Sequence, residues 1–500
     1  MGSTAALERM GLARDRSAEF QRCDLGEVLE RCQHVDPAAQ ALGLFHDVAR
    51  SVPAYARFLA ARGIEPSAVR SPDDFAKLPS TSKADYHKAY PLAELCREGA
   101  LSACDFLAVS SGSTGEPTLW PRAAHDEFGT ARRFEQVLVD GAALHQKRTL
   151  GVVCFALGSW VGGMYTTFAC RALASKGYAL TLVTPGNNRA EILRVLRALG
   201  PSFEQVVLFG YPPFLKDVID AGRADGYDWS RLPTRLVMAG EVFSEEWRTL
   251  LCERLGAINP ERHTASLYGT ADGGVLANET PLSVRVRRWL GEHPSAARDL
   301  FGEARLPTLC QYDPLHRYFE CPERELLFSA DGSLPLIKYR ILDRGGVVPF
   351  ERMRDFLAQH GFEIANGSGL RRLPFVYVFG RTGFALSFYG ANVYPENVAG
   401  GVERAEFGAL VTGKFVMELS RGSDQDVELM VTVELAQGAA PSAELERALA
   451  TSIRQAIERV NSEFSNYAPS ERRTPRVRLL PLGDPGYFPL GVKHRYTRGD

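Results

Sequence analysis

Between residues 150 and 239 short apolar, β-branched runs recur, each separated from the next by a helical pattern. The runs are 150–155, 179–183, 205–209 and 235–239, and helical spacing of apolar residues fills 165–175, 190–199 and 214–221 between them. Strands that rejoin a sheet in parallel need crossovers of about this length, whereas antiparallel neighbours need only a tight turn. The alternation therefore predicts an α/β fold with a large, mainly parallel sheet. In such a sheet ligands gather at the carboxyl ends of the strands.

The flanks read differently. Residues from about 3 to 100 are mostly helical, with starts such as Ser71-Pro72-Asp73-Asp74, a capping serine followed by proline and acids. A helix is expected over 126–144. From 280 to 380 the pattern is more β-like and irregular, with strands at 325–328, 336–340 and 375–379 and a helix at 350–360. Beyond lies a compact α+β module: a hairpin from 414–419 and 426–435, one long helix over 442–464, and a last strand at 476–480. The domain boundary is placed near Gly383, giving an N-terminal domain 1–382 and a smaller mobile domain 383–500.

Composition narrows the function classes. The 500 residues carry a formal net charge of -2, which gives no reason to expect nucleic acid or an anionic membrane as partner. No apolar run approaches the roughly 20 residues that cross a bilayer. Nine cysteines without a Cys-x-x-Cys pair argue for a reducing, cytoplasmic setting. Cys252, His263, Cys310, His316 and Cys321 match no zinc spacing. A homodimer is kept as an expectation.

The chemistry-bearing stretch is Ser110-Ser111-Gly112-Ser113-Thr114-Gly115-Glu116-Pro117-Thr118, after the apolar run 106–109. Backbone N–H groups and hydroxyls crowded around two glycines form a nest of donors suited to phosphate oxygens. It is not the Gly-Lys-Ser/Thr loop of nucleoside triphosphatases, because Glu116-Pro117 stand where lysine and a hydroxyl are needed. Further stretches matter in combination. Ala239-Gly240-Glu241 ends a strand in small residues, Tyr268-Gly269-Thr270-Ala271-Asp272 ends another, and 339–343 closes on the carboxylate of Asp343. Gly380-Arg381-Thr382-Gly383 follows the strand at 375–379, and Lys493 lies in a Gly/Pro-flanked tail. Singly, each admits a plainer reading: a helix cap for Glu241, a turn acid for Asp343, a solvated charge for Lys493.

In this order the set resembles the acyl-adenylate-forming superfamily, in particular its phenylacetate–CoA ligase branch. The wording 52–55, 78–83 and 390–398 is also similar to that branch. The resemblance implies that ATP and a small carboxylic acid form an acyl-adenylate, releasing pyrophosphate, before transfer to CoA. It places ATP on Ser110, Ser111, Gly112, Ser113, Thr114 and Gly115, on Ala239, Gly240 and Glu241, on Tyr268, Gly269, Thr270 and Asp272, and on Asp343 and Arg381. It gives Mg²⁺ to Asp272 and the catalytic charge to Lys493. Phe155, Trp160, Gly162, Gly163 and Tyr165 would line the acyl pocket; their aromatic, uncharged character favours a flat, neutral acid. Departures are Asp272 after Ala271 where the family has Glu after Thr, Glu116 in place of lysine, and a hinge without its acid. The segment 345–372 is also longer than the family pattern. An amine or carrier-protein thiol as acceptor stays open, as does a nucleotide-binding protein without turnover.

Overall fold

The computed structural model describes residues 15–110, 118–158, 160–303, 306–365, 367, 370–381, 385–436, 438–488 and 496–497. Residues 111–117 of the predicted phosphate loop 110–118, residues 382–384 of the predicted hinge, and Lys493 lie outside them.

The alternating region folds as its pattern predicts. Strands β3 (Thr149–Val153), β4 (Leu180–Val183), β5 (Gln205–Gly210), β6 (Thr234–Ala239) and β7 (Thr264–Thr270) run parallel in the order β4-β3-β5-β6-β7. Every residue of β3 and β5 is buried, as befits strands covered on both faces. The sheet then continues antiparallel. It takes in β8 (Gly274–Asn278), β9 (Thr308–Gln311), β13 (Phe375–Arg381), β12 (Leu336–Val348), β11 (Glu325–Ala330) and β10 (Arg317–Glu320) to reach eleven strands. These later strands are the irregular β-like region of the sequence.

Helices Pro37–Ser51, Pro53–Ala60 and Pro72–Ala76 pack on the antiparallel end, while helix Leu25–Gln33 forms a separate small core with Leu373. Ser71 and Asp74 form the capping box expected there. Phe45, Tyr55, Phe58, Phe75 and Tyr86 share one core with Trp120 and Tyr339. Trp120 lies on β2 (Thr118–Arg122), which pairs with β1 (Phe106–Ser110) as a separate hairpin on either side of the phosphate loop.

The C-terminal domain has a small hairpin, β14 (Leu386–Phe388) with β15 (Ala391–Val393). Its own sheet pairs β16 (Val411–Arg421) antiparallel with β17 (Val427–Leu435), and β17 parallel with β18 (Arg476–Leu480). The single helix expected over 442–464 is two, Ala443–Val460 and Ser462–Tyr467. Asn461 breaks it: its φ of -124° and ψ of 94° are extended, and its side chain accepts from the Phe464 N–H to cap the second helix. Asp343 also departs from expectation. It lies inside β12, which runs on to Val348 past an irregularity at Arg344/Gly345.

The two domains meet over buried charge. Lys216, 1% exposed, places Nζ 2.7 Å from Asp220, 3.2 Å from Asp424 and 2.6 Å from Asp426. Arg254 bonds Asp220 and Asp424, while Arg472 reaches Asp426 at 3.1 Å. Asp217 accepts from the Tyr389 hydroxyl at 3.0 Å. Lys216→Met should leave three carboxylates facing one another and loosen domain docking by about 1–3 kcal/mol, less than a fully buried pair because Asp424 is half exposed. Small-angle scattering should then show a larger radius of gyration than wild type at the same salt. An unchanged radius would mean that the network does not hold the domains together.

Candidate functional site

Two groups of residues lie at the carboxyl ends of the neighbouring parallel strands β6 and β7. The first is built on the β7–β8 hairpin. Thr270 pairs with Gly274, leaving Ala271, Asp272 and Gly273 as the turn, and a Cβ on Gly269 would lie 2.7 Å from the Gly274 carbonyl. Only glycine permits so close a return. Thr270 Oγ1 accepts from the Gly273 N–H at 3.0 Å. Asp272, at the tip, is buried, and its Oδ2 accepts from the Tyr339 hydroxyl at 2.8 Å. The turn is fixed from below by Arg122, which donates from Nη2 to the carbonyls of Ala271, at 2.8 Å, and Asp272, and from Nε to the Tyr165 hydroxyl at 2.9 Å.

From Asp272 the contacts lead to Ser110, the first residue of the predicted phosphate loop. The Tyr339 ring meets Trp120 edge-on at 6.3 Å, and Trp120 Nε1 donates to Ser110 Oγ at 2.9 Å. Lys83 Nζ lies 3.4 Å from the same Oγ and 5.5 Å from the Trp120 ring centre. His87 packs on Trp120 at 4.1 Å, and its Nε2–H donates to the Leu119 carbonyl at 3.0 Å. Burial lowers the His87 pKa to about 4, so the ring is neutral near pH 7. Lys83, His87, Trp120, Arg122 and Tyr339 were not singled out for chemistry in the sequence, because only the fold brings their segments together. The signal that could have found Lys83 is its place at the end of the 78–83 wording.

Tyr268 and Asp343 lie four places apart in strand order, yet the Tyr268 hydroxyl donates to Asp343 Oδ2 at 2.7 Å. Asp343 pairs in register with Arg381, so the carboxylate and the start of the hinge stand side by side on β12 and β13.

The second group surrounds the end of β6. Gly240 has a φ of +89°, and a Cβ there would come within 2.8 Å of the Tyr211 ring. The C-terminal hairpin closes over this point. Ser387 Oγ donates to the Gly240 carbonyl at 3.1 Å, and the Gly390 N–H donates to Glu241 Oε1 at 2.5 Å. Tyr211 meets Phe155 edge-on at 4.9 Å and Tyr467 at 5.0 Å, and Tyr467 in turn meets Trp160 at 5.0 Å. Phe155, Trp160 and Tyr165 are buried, and a Cβ on Gly162 or Gly163 would strike Phe155 or the Ala156 carbonyl. Of the sequence-predicted acyl-pocket residues, Phe155 and Trp160 thus join one aromatic cluster through Tyr211 and Tyr467, while Tyr165 meets Arg122 instead.

Asp272 suits Mg²⁺ held by one protein carboxylate with most other ligands from phosphate and water. Among the described residues, the one cluster of three or more metal-type side chains is Asp220, Asp424 and Asp426, and there the Lys216 ammonium already supplies the positive charge.

Burial raises the Glu241 pKa to about 8, against the opposing pull of the Gly390 N–H. The docked state thus holds a proton that the free carboxyl gives up at its ordinary value of 4.5. Docking should therefore weaken as pH rises between these values. Asp217, raised to about 6 by its burial, adds a slope of the same sign at lower pH, so the Glu241 contribution is read between about pH 6 and 8. Energy transfer between dyes on the two domains should fall across that range in wild type and stay flat in Glu241→Gln. Equal slopes in both would remove Glu241 from the interface energetics.

No protein-family model matches the sequence, and no curated protein does. Solved structures do. The chain is similar to 2-hydroxyisobutyryl-CoA ligase solved with 2-HIB-AMP and CoA in the thioesterification state, with TM-score 0.64 and 17% identity over 92% of this chain and 88% of that one. Against the same ligase in the postadenylation state with R3-HIB-AMP the TM-score is 0.53, at 15% identity over 93% and 89%. Against its open conformation with 2-HIB-AMP and CoA it is 0.52, at 15% identity over 93% and 91%. The chain has the fold of the acyl-adenylate-forming ligases.

Proposed function

We propose that this protein activates a carboxylic acid with ATP, releasing pyrophosphate, and passes the acyl group of the resulting adenylate to CoA. The observation that carries the reading is the chain of contacts from Ser110 through Trp120 and Tyr339 to Asp272. It joins the phosphate loop to a buried carboxylate at the carboxyl edge of the sheet. In this reading the loop 110–118 and the Lys83 ammonium hold the outer phosphates, and Asp343 takes the ribose hydroxyls. Mg²⁺ on Asp272 would offset the charge on pyrophosphate as it leaves. Arg122 and Tyr339 keep Asp272 in place through the reaction, so little reorganisation is needed as charge develops. Attack of the substrate carboxylate on the α-phosphate needs alignment and charge neutralisation rather than a covalent nucleophile. Lys493 would supply a compact charge between the two anionic groups.

The greater likeness to the thioesterification arrangement than to the postadenylation or open ones supports CoA as acceptor. It fits a C-terminal domain docked for the second step, with its hairpin on Gly240 and Glu241.

The test is acid-dependent pyrophosphate release across a panel of carboxylic acids, with and without CoA. Release that needs an acid, and a thioester product when CoA is present, is the expected result. Nucleotide binding with no release for any acid would favour a protein without turnover.

Two substitutions resolve the steps. Asp343→Ala should raise KM for ATP by about 10-fold or more while kcat changes little, because a ribose contact is equal in ground and transition states. A large fall in kcat at unchanged KM would contradict that role. Lys493→Ala should bind ATP normally and lose adenylation by roughly 10²–10³-fold, yet still transfer the acyl group from a supplied adenylate. Normal pyrophosphate release by this variant would make Lys493 an ordinary tail lysine.

A further inference from the structure

The nine cysteines form no motif in the sequence, yet the fold brings two of them into contact. Cys104 Sγ donates to Cys96 Sγ at 3.9 Å, and Cys96 Sγ donates to the Leu92 carbonyl at 3.5 Å. Other thiols turn to oxygen instead: Cys32 to Asp313, Cys154 to the Val152 carbonyl and Cys321 to the Gly345 carbonyl. A disulfide bond is about 2.05 Å long, so the two sulfurs need to approach by roughly 2 Å to bond. The link between them is two single turns, Arg97–Gly99 and Leu101–Ala103, rather than a regular element that would resist adjustment.

The two thiols differ in access and acidity. Cys96 is fully buried, whereas Cys104 is partly exposed. Their shared hydrogen bond holds Cys104 below the ordinary thiol pKa, against its burial and the nearby Asp126 and Asp105, and pushes Cys96 up. The thiolate is the nucleophile, so Cys104 reacts first and Cys96 stands in place to resolve the product.

The pair sits where the N-terminal layer meets the hairpin of β1 and β2. Beside Cys96, Arg97 is anchored: its N–H donates to the Ser333 carbonyl at 3.2 Å, and its guanidinium reaches Asp47 at 2.6 Å and Asp331 at 2.7 Å. Beside Cys104, Asp105 is the foot of the hairpin. Its N–H donates to the Arg122 carbonyl at 2.9 Å, and its Oδ2 accepts from the Ala124 N–H at 2.9 Å. The Arg122 side chain fixes the Asp272 turn. A bond that draws Cys104 towards Cys96 therefore pulls on Asp105, and through it on Arg122.

We propose that Cys96 and Cys104 form a reversible disulfide on exposure to a peroxide, and that this bond displaces the foot of the hairpin and weakens nucleotide binding. The second half rests on the adenylation reading; the first does not. The Cys104 thiolate attacks one oxygen of hydrogen peroxide: an S–O bond forms, the O–O bond breaks, and the leaving hydroxide takes up the thiol proton as water. The Cys96 sulfur then attacks the sulfenic sulfur: the S–S bond forms, the S–O bond breaks, and the hydroxyl leaves as water with the Cys96 proton. The two sulfurs lose two electrons and the peroxide oxygens gain them.

The test treats the full chain with hydrogen peroxide, alkylates the remaining thiols and digests with trypsin in the absence of reductant. Cleavage after Arg97 leaves Cys96 and Cys104 on separate peptides, 89–97 and 98–122, each with one cysteine. These two peptides should be joined, and dithiothreitol should part them; peptides that stay apart overturn the disulfide. Cys96→Ala should instead hold Cys104 as a sulfenic acid that dimedone labels, and an unlabelled Cys104 overturns the order of attack. For the second half, ATP affinity with Mg²⁺ is measured on the same samples. It should fall by about 10-fold or more in oxidised wild type, the scale of one charged hydrogen bond lost, and return with dithiothreitol. Peroxide-treated Cys104→Ala should keep its affinity. Equal affinity in linked and unlinked wild type overturns the effect on the hairpin. Absence of ATP binding by the reduced protein overturns the adenylation reading and the second half with it, while the joined peptides still decide the disulfide.

Discussion

The arrangement of the site depends on one buried guanidinium. Among the described residues Arg122 has no carboxylate in contact; its donors go to the Tyr165 hydroxyl and to two successive carbonyls, those of Ala271 and Asp272. A buried charge is tolerated only where its hydrogen-bonding capacity is met, so these three partners are constrained as strictly as the arginine. The consequence is geometric. β2, which leaves the phosphate loop, the helix after β3, and the β7–β8 turn that carries Asp272 are locked together at one point. Tyr339 adds the fourth element by bonding the Asp272 carboxylate itself.

Much of this was legible in the sequence, and the division follows range. The parallel strands, the crossover helices and the C-terminal hairpin each leave a local period, and they formed where the period placed them. The long helix over 442–464 broke because Asn461 offered the backbone a cap, a local competition that apolar spacing does not register. Asp343 was read as a strand end because the apolar run stops there. The strand continues because Gly345 and Gly346 can lie tight against Tyr377 on β13. Trp120 meets Ser110 within one hairpin, whereas Lys83 and His87 join them only once the N-terminal segment covers that hairpin. In the aromatic run at 155–165, Phe155 and Trp160 pack against Tyr211 and Tyr467 from two other segments, contacts that composition does not register.

The shorter acid at position 272 acquires a physical account. Aspartate reaches less far than glutamate by one methylene, so its carboxylate stays closer to the turn. There the Tyr339 hydroxyl meets one oxygen at 2.8 Å, and Arg122 holds the backbone of the same residue. Such a carboxylate is fixed by its neighbours rather than by side-chain length. The hydroxyl lost at Ala271 leaves its carbonyl still engaged by Arg122, at 2.8 Å.

The hinge shows the same shift of control from local chemistry to assembly. Gly380, with a φ of +106°, precedes Arg381, and no acid follows in the sequence to pair across the joint. Glycine passes freely between backbone regions, so the joint by itself sets no preferred angle. The preference must then come from the surfaces that meet: Lys216 and Arg254 against Asp424 and Asp426, Tyr389 on Asp217, and Gly390 on Glu241. Of these carboxyls, Asp217 and Glu241 are held above their ordinary pKa by burial, while Asp424 and Asp426 are held below theirs by Lys216 and its neighbours. On the proposed reading, in which the C-terminal domain moves, its position is therefore set by electrostatics across this interface. A permissive joint lets salt and pH act on it directly, where a side-chain latch at the hinge would have resisted both.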